Sequence, residues 1–113
     1  MKITTRIVDG VTVVDLQGRL TLGEDTEQFR TQIRELIQSG IKKILLNMGN
    51  VGYIDSSGVG ELVRAYASLT NQGGQLKLLN LTKKLHDLLT VTKLLTVFEA
   101  HENEQRAIQS FSG

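Results

Sequence analysis

Residues 43–69, KILLNMGNVGYIDSSGVGELVRAYASL, hold the two elements from which the rest of the chain can be placed. Ile44-Leu45-Leu46 is apolar without alternation. A half-exposed strand would alternate, so Lys43 to Met48 is expected to be a strand covered on both faces, central in a sheet flanked by helices. Gly49 to Gly52 is expected to be a loop, and Tyr53-Ile54 leads into Asp55-Ser56-Ser57-Gly58. Beyond it, Val59, Leu62, Val63, Tyr66 and Leu69 mark one face of a helix, which leaves Glu61 and Arg64 to face water.

Outward from this unit the same logic repeats. Ile3 to Val8 and Val11 to Leu16 are short β-branched runs around Asp9-Gly10, a pair suited to a type I′ turn and so to a hairpin. Gly18 breaks that pattern. Thr21-Leu22-Gly23-Glu24 has the spacing of a capping box with Thr21 as the cap. Phe29, Ile33, Leu36 and Ile37 follow on one helical face, and Ser39-Gly40 stops the helix. Gly73-Gly74 ends the helix after the Asp55 turn. Gln75 to Leu81 is expected to be another buried strand, with Thr82 capping a short helix carrying Leu85, Leu88 and Leu89. Thr96 to Phe98 is expected to be the last strand, before a helix with Ala107, Ile108 and Phe111 inside. The order is β-β-α-β-α-β-α-β-α. It implies a single α/β domain over 1–113, with about four helices and a mixed, mostly parallel β-sheet opened by an N-terminal hairpin.

Composition narrows the function classes. The 113 residues suit one core and no second domain. Only 4% are aromatic, so Leu, Ile and Val must build that core. Thirteen basic residues against twelve acidic ones give +1, without the basic excess of a nucleic-acid binder. No Cys is present, which removes disulfides and thiolate metal sites. No apolar run reaches the roughly 18 residues needed to cross a bilayer, and Met1 to Arg6 lacks a signal-peptide core. A cytoplasmic protein without cofactor or metal is expected.

Asp55-Ser56-Ser57-Gly58 stands where a strand-end loop becomes a helix, the place where open α/β sheets meet ligands. Its backbone N–H groups lie at the positive end of the helix dipole, suited to an anion or an added phosphoryl group. Asp and Ser are also simply good N-caps, and Gly permits the turn. On spacing alone both readings stand.

Ile54-Asp55-Ser56-Ser57-Gly58-Val59-Gly60 resembles the signature of the STAS-domain family, the bacterial anti-sigma factor antagonists. Gly18-Arg19-Leu20 resembles the family's Gly-x-Leu segment, and Ile44-Leu45-Leu46-Asn47 its strand before the phosphorylation loop. Gly73-Gly74 with Leu76 to Leu79, then Leu94 to Phe98, follow in the family's order, so the resemblance spans nearly the whole chain. It implies a binding module rather than an enzyme. Ser56 would be phosphorylated by a serine kinase that doubles as an anti-sigma factor, and a phosphatase would reverse the mark. Thr21, Asp55, Ser56, Ser57 and Gly58 would meet that partner. Unphosphorylated, the protein would hold the anti-sigma factor and free the sigma factor; the phosphate would release it. The chain departs from the family at Thr21, where members often carry Asp, which removes a negative charge near the loop. Some STAS domains instead serve as accessory subunits of membrane transporters, including lipid-trafficking ABC systems, and that is the alternative role.

The remaining polar residues invite blander readings. His86 and His101 lack a G-x-S-x-G context for a Ser-His-Asp hydrolase and are too far apart in sequence for a metal pair. Lys42-Lys43 and Lys83-Lys84 are expected to be solvated faces, and Tyr66 a core residue.

Overall fold

Asp9 and Gly10 take φ of 50° and 82°, the left-handed pair a type I′ turn requires. They join β1 (Lys2–Val8) to β2 (Val11–Leu20), antiparallel with Val8 opposite Val11. The computed structural model describes residues 1–111. After the hairpin come α1 (Glu24–Gln38), β3 (Lys43–Ile54), α2 (Ser56–Asn71), β4 (Gln75–Leu79), α3 (Lys83–Val91), β5 (Ala100–His101) and α4 (Glu104–Ser110). The sheet runs β1-β2-β3-β4-β5, and every pairing after the hairpin is parallel. The expected element order and sheet type are therefore found.

The central strand is buried on both sides, as its unbroken apolar run requires. Ile44, Leu46 and Met48 pack with Phe29 and Ile33 of α1, Leu62 and Leu69 of α2, and Leu85 and Leu89 of α3. Leu45 points the other way, into a smaller cluster with Val13, Leu79, Ala107, Ile108 and Phe111. Tyr66 is half-buried, its ring edge-on to Phe98 at 5.4 Å. Leu62 is wholly buried, so Leu62→Ala is expected to cost about 2–5 kcal/mol in urea unfolding. A loss below about 1 kcal/mol would show that α2 packs on another face.

Four local expectations are corrected. Gly49 to Gly52 is not a loop: β3 continues to Ile54, because β2 runs beside it to Leu20. Register shifts between Asp15 and Gln17 and between Gly18 and Arg19 let the two strands stay paired. Thr96 to Phe98 is not the last strand; that segment is a turn in which Val97 N–H donates to Leu94 O, and the strand is Ala100–His101. Phe98 is buried by that turn rather than by a sheet. Thr21 does not cap α1. The cap is Gly23, whose N–H donates to Thr26 Oγ1 while that hydroxyl donates back to Gly23 O.

Glu61 is the fourth correction. It is buried rather than facing water, and its carboxylate accepts from Arg30 Nε at 3.1 Å and from the second Arg30 donor at 2.7 Å. The Arg30 bonds are the main reason its pKa lies below the ordinary carboxylate value. Helical periodicity could not reveal a partner on another helix. Breaking a fully buried pair costs about 3–5 kcal/mol, but Arg30 is 40% exposed and regains water. Glu61→Ala is thus expected to cost about 1–3 kcal/mol in urea unfolding, more than Arg64→Ala at the exposed neighbour. Equal costs would contradict the ion pair's role in joining α1 to α2.

Candidate functional site

Parallel strands β2 and β3 end side by side, with Leu20 opposite Ile54, so the turns that follow them meet. Asp55 ties them together. Its backbone N–H donates to Leu20 O, its Oδ2 accepts from Leu22 N–H at 3.0 Å, and its Oδ1 accepts from Gly58 N–H at 2.9 Å. One carboxylate thus caps α2 and holds the turn that leads into α1.

Those donors, Leu22 first and Gly58 next, hold the pKa of Asp55 below its ordinary value. A depressed folded-state value stabilises the fold above the unfolded-state pKa of about 3.9, and this contribution disappears as pH falls through the lower folded value. The stability gap between the parent protein and Asp55→Asn should therefore narrow between neutral pH and about pH 3. A gap that stays constant across that range would count against the clamp.

Ser56 and Ser57 are the first two residues of α2; Ser56 is exposed and Ser57 half-buried. Gly58 is buried where no side chain fits. A Cβ there would strike Leu20 O and lie 2.7 Å from Ile54 Cγ1. The α2 start is therefore pressed onto the end of β2, and the Ser56 hydroxyl is left outward at the positive end of the helix. Thr21 lies in the clamped turn, half-buried, with its hydroxyl donating to Asp25 Oδ2 at 3.1 Å. The five residues expected to act together thus come from two turns that Asp55 holds in contact.

The surroundings are more apolar than the motif alone suggests. Leu22 is 78% exposed and Val91 79%, and Tyr53 is partly exposed. Ser56 opens on a shallow cleft of about 490 Å³ that Tyr53, Lys84, Leu88 and Val91 also line. Lys84 Nζ lies 3.8 Å from the centre of the Tyr53 ring, and Arg19 Cζ lies 5.3 Å from it. Lys84 is exposed, as expected of a solvated face, and it also lines this cleft. Its partners could not be read from sequence, because α3 reaches the cleft only through the fold. The apolar residues Leu22 and Tyr53, so close to the motif, were a usable signal.

The histidines stand elsewhere. His101 bonds to Glu99 at 2.6 Å and to Ser110 at 3.3 Å, and exposed His86 lies 3.9 Å from Asp87. Lys77, with His101 second, holds the Glu99 carboxyl down at about 2. Among the described residues no group of His, Cys, Asp and Glu is arranged to hold a metal ion, and no helix is long and apolar enough to cross a membrane.

The chain is similar to known proteins over most of its length. The STAS domain matches residues 2–107 of the chain. The anti-sigma F factor antagonist of Paenibacillus polymyxa is 29% identical over 100 residues, covering 88% of this chain and 85% of that protein. SpoIIAA, an anti-sigma factor antagonist solved in its unphosphorylated form, is 25% identical with a TM-score of 0.73, covering 96% of each chain. The phosphorylated form of the Bacillus SpoIIAA gives 0.75 at 24% identity, over 96% of this chain and 97% of that one. A candidate anti-sigma factor antagonist from Thermotoga maritima superposes with a TM-score of 0.90 at 24% identity, over 96% and 93%. The last two likenesses bear on the fold alone.

Proposed function

Because the chain belongs to the STAS-domain family, we propose that it is an anti-sigma factor antagonist switched by phosphorylation of Ser56. The observation that carries this reading is an exposed Ser56 hydroxyl at the first turn of α2, beside the apolar residues Leu22, Tyr53 and Val91. The relatives named above are named for sigma-factor control and not for transport, which favours this role over the transporter-accessory one.

The unmodified surface binds an anti-sigma factor that is also a serine kinase, and so regulates sigma-dependent transcription in the cytoplasm. Thr21, Asp55, Ser56, Ser57 and Gly58 form the polar centre of the contact, and the three apolar residues its rim. In the transfer step the Ser56 Oγ bonds to the γ-phosphorus of ATP as the bond to the ADP oxygen breaks, and the hydroxyl proton passes to a base of the kinase. The phosphoryl group adds about −1.5 to −2 charges. It leaves the fold in place, since a helix N-terminus tolerates an anion, but it puts that charge into a desolvated contact. A phosphatase resets the switch. The chain itself is substrate and binding partner, with no cofactor and no turnover of its own.

Incubation with the cognate kinase and ATP, followed by site-localised mass spectrometry, tests the assignment. Phosphate is expected on Ser56 and none on the Ser56→Ala variant. Phosphate found only on Ser57 would overturn it.

A further inference from the structure

The two lysines that open α3 have different surroundings. Lys83 pairs with Asp87 at 2.9 Å, one turn further on. Lys84 has no carboxylate partner among the described residues; its ammonium rests on the Tyr53 ring at 3.8 Å. That ring belongs to the cleft on which Ser56 opens. The two carboxylates of the same cleft are already engaged, Asp55 by the N–H groups of Leu22 and Gly58 and Asp87 by Lys83. Arg19 adds a second cation, 5.3 Å from the same ring. The cleft thus holds a cation with hydrogen-bonding capacity to spare, and the exposed Ser56 lines the same cleft.

An exposed ring face is a weak partner for an ammonium group, and a dianionic oxygen is a stronger one. The Lys84 stem is exposed and flexible, with three donors at its tip. We propose that Lys84 is the counter-ion of a phosphate monoester at Ser56, leaving the Tyr53 ring to bind the phosphate oxygens once Ser56 is modified. This rests on the reading of Ser56 as the modified residue. It also adds a second cause for the loss of partner binding. The modified residue ties the start of α2 to α3 across the cleft, so that Tyr53 and Val91 no longer present one open surface.

The test needs no kinase: phosphoserine is placed at position 56 during translation, and its phosphorus resonance is titrated by NMR. A phosphoserine monoester has its second pKa near 6. In the parent protein the value is expected about 0.2–0.7 pH unit below that of the Lys84→Gln variant. Lys84→Arg should keep the lowered value. In unmodified protein, Lys84→Gln should leave the thermal midpoint unchanged, which separates the effect from folding. An unchanged value in Lys84→Gln, or a value in Lys84→Arg as high as in Lys84→Gln, would overturn the proposal. If the kinase fails to modify Ser56, the functional reading falls while this titration still reports on Lys84.

Discussion

Gly58→Ala is expected to leave the protein about 1–3 kcal/mol less stable, a large share for a fold whose total stability is about 5–15 kcal/mol. Two effects compete. Ala is the better helix former by about 1 kcal/mol, and position 58 lies in the first turn of α2. Against this, the added methyl would strike the Leu20 carbonyl oxygen and lie 2.7 Å from Ile54 Cγ1. A carbonyl within a paired strand cannot swing aside, so the clash wins. Gly60 is the control on the same helix, with no atom within 4 Å of its would-be Cβ. Gly60→Ala should stabilise the protein by about 0.5–1 kcal/mol. Urea unfolding of the two variants therefore gives opposite signs. A stabilised Gly58→Ala would mean that α2 does not start against β2.

Ser56→Asp should have the largest effect on function with almost none on folding. An acidic residue in the first turn of a helix is well placed for the dipole, and the site is exposed, so stability should stay within about 0.5 kcal/mol. Binding to the anti-sigma factor should fall at least about tenfold, or about 1.4 kcal/mol, because a charge enters the contact next to Asp55. Ser56→Ala should bind as the parent does. Calorimetric titration of the three proteins checks this. Undiminished binding by Ser56→Asp would remove Ser56 from the interface.

Local rules made most of the fold legible. The unbroken Ile44-Leu45-Leu46 run placed β3 at the centre, and Asp9-Gly10 placed the hairpin, because both signals act over a few residues. What escaped depends on contacts between distant segments. Gly49 and Gly52 suggested a loop, yet pairing with β2 keeps them in a strand. A helical wheel puts Glu61 on the water-facing side, yet it is buried, because Arg30 of α1 makes its burial tolerable. Thr96 to Phe98 has strand-like residues but turns to seat Phe98 against Tyr66. At the site, Asp55 as N-cap was legible, whereas its second bond to Leu22 and the approach of Lys84 to Tyr53 were not. Both require knowing which turns the sheet brings together.

The most direct measurement of antagonism is displacement. A complex of the sigma factor with its anti-sigma factor is titrated with the unmodified protein and, separately, with protein carrying phosphate on Ser56. Release of the sigma factor by the unmodified form, and little or none by the phosphorylated form at the same concentration, is the expected result. Equal release by both forms, or release by neither, would contradict a phosphorylation-switched antagonist.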